Sequence, residues 1–204
     1  MKKVILIDVD NTLYPRSEGV FDIINAKIHK YMKELLNLND EQIENLRISY
    51  FSQYGSSLAG LIKDYNVDPE HFLKYVHDVD IRSKLKPNKQ LKEKLRTIDA
   101  VKIAFTNAPI EHAQKVLESL GVIDQFIEIF DIYRAHFIGK PNMLPYKTIV
   151  KQTKADKYAM VDDQKVNLLA AKQLNMFIVL ISEEKFSEVD MCIETFKDIP
   201  NDII

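Results

Sequence analysis

The feature that most constrains the fold of this chain is a regular alternation of short apolar runs with amphipathic segments from residue 88 onward. The apolar runs are rich in branched residues and bounded by polar breaks, which is typical of buried strands; they lie at residues 101–105, 126–130, 158–161 and 176–181. The segments between them repeat apolar side chains at helical spacing; they lie at residues 110–120, 143–150 and 166–174. Because nearly continuous apolarity indicates strands covered on both faces, the alternation predicts an α/β fold with a Rossmann-like, doubly wound parallel sheet.

A first strand is predicted at residues 4–7, but the segment that follows breaks the alternation. Residues 21–77 hold helical patterns only, with an amphipathic stripe early in the segment and helix starts at Asn39–Asp40 and Asp68–Pro69. The segment is too long for a loop. We therefore expect an all-helical insertion after strand 1, with a small hydrophobic core of its own.

Charge and cysteine content exclude several classes of protein. The 204 residues include 28 basic and 30 acidic ones, so neither a polymer of nucleic acid nor a membrane surface is an expected partner. The single cysteine, Cys192, rules out an intrachain disulfide and fits a reducing compartment. Asp8 and Asp10 interrupt the N-terminal apolar run before it reaches the length of a signal peptide or a membrane span. We expect a cytoplasmic protein, either a monomer or a homodimer.

Polar side chains gather directly after the predicted strands. Asp8, Asp10 and Thr12 follow the first strand, Thr106–Asn107 follow the second, and Asp162–Asp163 follow the fourth, whereas Lys140–Pro141 lie in a loop before a helix. In an open α/β sheet, ligands bind beyond the carboxyl ends of the strands. These clusters are therefore expected to converge on one crevice.

Carboxylates brought together in such a crevice repel each other, and a bound cation relieves the repulsion. The five histidines are scattered and are expected to be structural, so no His or Cys is expected near the crevice. A donor set made of carboxylates alone suits Mg²⁺, and an added lysine suits an anionic substrate such as a phosphate. In that setting, Asp8 can attack phosphorus, Asp10 can serve as the acid and then the base, and Thr106 can stabilise the phosphoryl oxygens.

The clusters resemble the four motifs of the haloacid dehalogenase superfamily of phosphatases. Motif one is matched by DVDNTLY at residues 8–14, motif two by TNA at 106–108, motif three by Lys140–Pro141, and motif four by Asp162–Asp163 with Asn167 beyond them. The resemblance implies a helical cap at residues 17–85, inserted into a core made of residues 1–16 and 86–204.

The resemblance also implies roles for individual residues. Asp8 would be the nucleophile and a metal ligand, and Asp10 would be the acid/base and would bind the metal through its backbone carbonyl. Asp163 would be the third metal contact, with Asp162 either beside it or behind it. The phosphoryl group would be bound by Thr106, Asn107 and Lys140.

A narrower set of segments is similar to the pyrimidine 5'-nucleotidase-like branch of this superfamily. The segments are DNTLYP at residues 10–15, YGSSLAGL at 54–61 and the run at 78–87. This similarity implies a nucleoside monophosphate as substrate. Tyr14, Tyr54 and Ser56 are the candidates for contacting it, since an aromatic face can stack on a base and a hydroxyl can hydrogen-bond to its edge. The alternative for Tyr54 is a place inside the cap.

Other functions remain open at this stage. A phosphatase or mutase of another small metabolite, such as a sugar phosphate, would carry the same motifs and differ only in its cap. A non-catalytic phosphate-binding scaffold would be expected to lack some catalytic groups, and none is missing. Halide release needs no acid, so Asp10 argues against a dehalogenase.

Overall fold

Six parallel strands form one sheet in the computed structural model, which describes residues 1–204. The strands are β1 (Lys3–Ile7), β2 (Val101–Phe105), β3 (Glu128–Phe130), β4 (Lys157–Asp162), β5 (Phe177–Ile181) and β6 (Met191–Ile193). The predicted doubly wound α/β fold is confirmed, and the five predicted strands are all present. The sixth strand, β6, was not predicted.

The strand order is β3-β2-β1-β4-β5-β6, so the chain builds outward from β1 on one side and then on the other. β1 pairs with β2 through Val4 and Val101, and with β4 through Lys3 and Lys157. The order therefore reverses between β1 and β4. Ligands of doubly wound sheets bind at the carboxyl end of such a reversal.

Four α-helices accompany the strands after residue 88, and three of them lie where helical spacing was seen. They are α6 (Lys89–Thr97), α7 (Ile110–Leu120), α8 (Met143–Thr153) and α9 (Lys165–Lys172). Helix α7 has Pro109 at its N-cap and ends at Gly121, whose φ of +71° suits a residue without a side chain.

Five α-helices lie between β1 and α6, and they are called the cap below. They are α1 (Val20–Leu36), α2 (Asp40–Tyr54), α3 (Ser57–Tyr65), α4 (Pro69–Val76) and α5 (Ile81–Lys84). Both predicted helix starts are confirmed, because Asn39 forms a capping box with Gln42 and Asp68 caps α4 with Pro69 in its first turn.

The expectation that the cap has a separate core is wrong. One cluster of 35 buried residues includes Ile24, Met32 and Phe72 of the cap as well as Ile5 and Ile7 of β1. A second cluster, of 16 buried residues, contains Val4 and Leu6, the β1 residues of opposite orientation. The cap therefore shares one hydrophobic core with one face of the sheet.

No helix of the protein combines the length and the apolarity that a membrane span requires.

Candidate active site

The segment after β1 places two aspartates at the reversal of the sheet. The backbone N–H of Asp8 donates to the carbonyl of Val161 in β4 at 2.9 Å, which fixes the end of β1 beside β4. Thr12 donates from its hydroxyl to Oδ2 of Asp8 at 3.2 Å. The Asp8 side chain is thus held at the edge where ligands of this fold class bind.

Lys140 joins Asp8 to the aspartate at the end of β4. Its Nζ lies 2.8 Å from Oδ1 of Asp8 and 2.7 Å from Oδ2 of Asp162, and only 2% of its side chain is exposed. Burial lowers the pKa of Lys140, but the charges of Asp162 and Asp8 outweigh it and raise the pKa above its ordinary value. The lysine therefore stays protonated.

Asn107 holds the loop that carries Lys140. Its Nδ2 donates to the backbone carbonyl of Lys140 at 2.9 Å, and its Oδ1 accepts from the Lys140 backbone N–H at 2.7 Å. Asn107 was predicted to bind the phosphoryl group, but both ends of its amide are engaged in positioning the lysine.

Thr106 lies at the end of β2 with 4% of its surface exposed. Its Oγ1 accepts from the backbone N–H of Ala108 at 3.0 Å, and the hydroxyl proton remains available to donate. Thr106 therefore has a free hydroxyl donor, which its predicted role of binding the phosphoryl group requires.

Three carboxylates lie together at this edge. Asp8, Asp162 and Asp163 each offer an oxygen, and the three oxygens lie within 4.8 Å of one another. Burial raises the pKa of Asp8, and although Lys140 opposes this, Asp162 and Asp163 add to it, so the pKa lies well above the ordinary value. Burial and the charge of Asp162 likewise raise the pKa of Asp163 to about 6. Such a donor set fits a hard divalent cation, which would relieve the repulsion.

Asp162 differs from the other two carboxylates because all its acceptor positions are occupied. Oδ1 accepts from the backbone N–H of Gln164 at 2.8 Å and from Asn167 at 3.0 Å, and Oδ2 accepts from Lys140 and, at 3.1 Å, from Asn167. Asp162 is also fully buried. This geometry favours Asp8 and Asp163 as the ligands and makes Asp162 the residue that orients Lys140.

A histidine contacts Asp10, so the expectation that no histidine lies near the crevice is wrong. Nε2 of His112 lies 2.8 Å from Oδ1 of Asp10, and the His112 side chain is fully buried. The phenol of Tyr14 donates to the same carboxylate oxygen at 2.5 Å. Burial raises the pKa of Asp10, but the charge and hydrogen bond of His112 and the hydrogen bond of Tyr14 together lower it below its ordinary value.

His112 lies in the first turn of α7, and the position of that turn places it beside Asp10. Asp131, directly after β3, accepts from the backbone N–H of Ile110 at 2.9 Å and so fixes the first turn of the helix at the carboxyl edge of the sheet. From the cap, His77 packs its ring against His112, with 4.9 Å between the ring centroids. Burial, together with the charge of His112, lowers the pKa of His77 to about 4.

The three predicted substrate contacts have different surroundings. Tyr14 is 4% exposed and its hydroxyl is committed to Asp10, so it has no free face for a base. The hydroxyl of Tyr54 accepts from Lys63 at 3.2 Å, its ring packs near Tyr50, and it does not line the cavity described next. Ser56 does line that cavity, and its Oγ caps α3 by accepting from Ala59.

A cavity of about 290 Å³ lies between the cap and the sheet edge. Asp8, Asp10 and Asp163 line its core end together with Thr106 and Lys140, and mostly apolar side chains of the cap line the other end. At Gly55 the cap lies so close to the loop of Lys140 that a Cβ would overlap Cδ of Pro141. The cap thus rests directly on the loop that carries Lys140.

Comparisons with known proteins agree on the family of this arrangement. Residues 2–175 match the family model described as haloacid dehalogenase-like hydrolase. Phosphate metabolism protein 8 of Saccharomyces cerevisiae is 28% identical over 218 residues, which cover 97% of this chain and 67% of that protein.

Two solved structures share the fold over nearly the whole chain. The HAD phosphatase of Thermococcus onnurineus superposes with a TM-score of 0.61 at 18% identity, covering 96% of this chain and 94% of that one. The HAD-hydrolase YfnB of Bacillus subtilis, solved with magnesium bound, superposes with a TM-score of 0.64 at 12% identity, covering 97% and 96%. At these identities the likeness concerns the fold alone.

Proposed function

The chain belongs to the haloacid dehalogenase-like hydrolase family, and from this premise we propose that it is a Mg²⁺-dependent phosphomonoester hydrolase whose nucleophile is Asp8. The observation that carries the proposal is the position of Asp8. It lies at the reversal of the sheet, 2.8 Å from Lys140, with the oriented carboxylate of Asp10 two residues further along. Each role in the proposal therefore has a residue: Asp8 as nucleophile, Lys140 as the cation for the phosphoryl group and Asp10 as the acid and base.

The metal ligands of the proposal are the side chains of Asp8 and Asp163 and the backbone carbonyl of Asp10. Bound there, Mg²⁺ would supply positive charge that screens the repulsion between the Asp8 carboxylate and an anionic phosphate. Lys140 and the hydroxyl of Thr106 hold the phosphoryl oxygens, so the phosphorus is placed in line with Asp8.

In the first half-reaction, a carboxylate oxygen of Asp8 attacks phosphorus and forms an aspartyl phosphate, while the bond between phosphorus and the leaving oxygen breaks. Asp10 gives a proton to that oxygen, which leaves as an alcohol. The phosphate brings negative charge beside Asp10, and this favours the protonated carboxyl that the step requires.

In the second half-reaction, Asp10 takes a proton from water, and the resulting hydroxide attacks the phosphorus of the aspartyl phosphate. The phosphorus–oxygen bond to Asp8 breaks, so that inorganic phosphate leaves and the Asp8 carboxylate is restored. His112 and Tyr14 keep Asp10 oriented through both halves, since each holds the same carboxylate oxygen.

A nucleoside monophosphate is the proposed substrate, supported by the similarity of residues 10–15 and 54–61 to the pyrimidine 5'-nucleotidase-like branch. Phosphate chemistry also agrees with the name of the yeast relative. A sugar phosphate is the second candidate, because the polar end of the cavity would accept any phosphomonoester. The Asp10–His112 pair supports phosphatase over dehalogenase chemistry, since a halide needs no proton to leave.

The test is phosphate release from nucleoside monophosphates and sugar phosphates, with Mg²⁺ or with chelator, by the native chain and by Asp8→Asn. Turnover that needs Mg²⁺ and disappears in the variant is expected. Activity that survives in Asp8→Asn would remove Asp8 from its role. A native protein that releases phosphate from none of the compounds, yet binds them, would favour the scaffold.

A further inference from the structure

The cap end of the cavity has a mostly apolar wall, to which Asn25, Ser56, Ser57, His77 and one cation also contribute. The apolar residues include Phe21, Ile24, Ile28, Phe51, Leu58 and Phe72. Arg47, on α2, is the only Lys or Arg that lines the cavity apart from Lys140. Because Lys140 lies between Asp8 and Asp162 and is assigned to the phosphoryl group, Arg47 is the one Lys or Arg available to the part of a substrate that lies beyond its phosphate.

Arg47 is held in place but has unused hydrogen-bond donors. One terminal nitrogen donates to Oδ1 of Asn25 on α1 at 2.9 Å, and the other donates to Glu44 at 3.2 Å. Nε is buried and has no partner. A guanidinium carries five N–H groups, so subtracting the two in use leaves three. A buried donor without a partner costs free energy, and an acceptor on a ligand would remove that cost.

The charge of Arg47 favours a neutral acceptor over a second anion. Glu44 already serves as its counter-ion at 3.2 Å, so a distal carboxylate or phosphate would approach a pair whose net charge is close to zero. A carbonyl oxygen needs only N–H donors, and it is compatible with the surrounding apolar side chains. The most suitable group for this end of the cavity is therefore a carbonyl on a largely apolar body, and a nucleobase is one such group.

An unpartnered atom of opposite character lies at the catalytic end. Oδ1 of Asn11 is buried without a hydrogen-bond partner, and Asn11 lines the same cavity. Asn11 directly follows Asp10 in the chain, and both residues line the cavity. An acceptor at this position suits a hydroxyl group carried near the phosphate.

We propose that Asn11 and Arg47 select a nucleoside 5'-monophosphate whose base carries a carbonyl. Asn11 accepts from a sugar hydroxyl, Arg47 donates to the carbonyl of the base, and the apolar wall covers the ring. This inference rests on the proposed function for the placement of the phosphate, and it adds the two residues that recognise the rest of the substrate.

Binding measurements on the inactive Asp8→Asn protein test the selection separately from catalysis. The probes are UMP, which has both groups, and ribose 5-phosphate, which lacks the base, each titrated by calorimetry in the presence of Mg²⁺. In this background, Arg47→Met keeps the apolar stem and removes every donor. We expect it to raise the Kd of UMP about 10- to 100-fold, because it removes a hydrogen bond to a charged group. The Kd of ribose 5-phosphate should change less than about 3-fold.

Two further variants address folding. Arg47→Lys keeps the charge but loses the planar fork, so it should weaken UMP binding by a smaller factor even if Arg47→Met fails to fold. Lys30→Met, at an exposed position of α1, is the matched control for removing a cation from the cap, and UMP binding should not change.

The Asn11 half of the inference has its own variant. Asn11 has a φ of 59°, so Asn11→Gly removes the side chain without backbone strain. It should weaken UMP and ribose 5-phosphate by the same factor, since both carry sugar hydroxyls.

The inference is overturned if Arg47→Met weakens UMP and ribose 5-phosphate equally, if it weakens neither, or if the Asp8→Asn protein binds ribose 5-phosphate as tightly as UMP. A native protein without phosphatase activity would instead defeat the proposed function, and the binding ratio would still decide the role of Arg47.

Discussion

Nε2 of His112 lies 2.8 Å from Oδ1 of Asp10, across 102 positions of sequence. The contact joins the first turn of α7 to the loop after β1, and the His112 side chain is fully buried whereas that of Asp10 is 12% exposed. An acid/base group works only when its proton points at the reacting oxygen. The position of this carboxylate is therefore set by His112, which lies outside the four motifs, together with Tyr14 of motif one.

Replacing His112 should reduce catalysis according to the reach of the new side chain. The amide nitrogen of Gln can occupy the place of Nε2, whereas that of Asn stops near the place of Nδ1. We expect His112→Asn to lower kcat/KM for an alkyl phosphate about 10- to 100-fold and His112→Gln to retain most of it. The check is steady-state kinetics of phosphate release.

The leaving group supplies the control for this prediction. A nitrophenyl phosphate needs little protonation to leave, so its kcat/KM should fall less than that of an alkyl phosphate. Equal losses for both substrates would mean that His112 supports the fold of the site and does not position the acid.

Asp163→Asn should stabilise the metal-free protein at neutral pH. The folded state raises the pKa of Asp163 to about 6, so the ionised form is disfavoured by folding, and stability is lost as pH rises from about 4 through 6. The variant lacks this charge and should be more stable than the native chain above pH 6, by on the order of 1 kcal/mol after allowance for solvent. Chemical unfolding in chelator at pH 4.5 and pH 7.5 measures the difference.

Excess Mg²⁺ at pH 7.5 should make the native chain more stable than Asp163→Asn. The metal stabilises the folded state that binds it, and the variant has lost one of the metal ligands. An unchanged ranking in Mg²⁺ would argue against Asp163 as a ligand.

The free energy of unfolding should fall in acid because His77 is buried in its neutral form between the cap and α7. The folded state lowers the pKa of His77 to about 4, so its neutral form is favoured by folding. The stabilisation is present above about pH 6.5 and is lost as pH falls towards 4, because only the unfolded chain takes up the proton. Relative to His77→Phe, the native chain should lose on the order of 2 kcal/mol of unfolding free energy between pH 7 and pH 4.5. A constant difference between the two proteins across that range would contradict the assignment.

Gly55→Ala should separate the cap from the loop that carries Lys140. Gly55 has a φ of +79°, and a Cβ there would overlap Pro141 and lie 3.2 Å from the Lys140 carbonyl. We expect a loss of about 1–3 kcal/mol of stability and a higher KM, because the cavity opens. Thermal unfolding and kinetics of phosphate release measure the two effects.

Gly19→Ala is the control for backbone strain. Gly19 has a φ of +71°, but nothing lies within 4 Å of its added Cβ. It should lose about 1 kcal/mol from the left-handed conformation while leaving KM unchanged. An equal rise of KM in Gly55→Ala and Gly19→Ala would mean that backbone strain, and not the overlap with Pro141, causes the effect.

Sequence reasoning located the sheet because parallel strands buried on both faces are almost continuously apolar. It missed β6 because this strand has only three residues and lies at the edge, where neither face is fully covered. It also gave the cap a separate core, since an amphipathic stripe shows that a helix face is buried but not what buries it.

Asp8, Lys140 and Asp162 meet as expected, because parallel strands bring their carboxyl ends to one edge. The contacts of His112 and Tyr14 with Asp10 were not foreseen, and Tyr14 was expected to contact the substrate instead. Both contacts depend on side-chain direction, which the sequence pattern does not show. The usable signal was position: His112 lies in the first turn of the helix after Thr106–Asn107, and such a turn begins at the edge that holds the site.

The close approach of Gly55 to Pro141 also limits how this enzyme can be recombined. A chimera that takes its cap from a relative would place a foreign side chain against the Lys140 loop, and any Cβ at that point collides with the ring of Pro141. A transplanted cap will therefore work here only if it brings its own glycine to this position, or if the Lys140 loop is exchanged along with it.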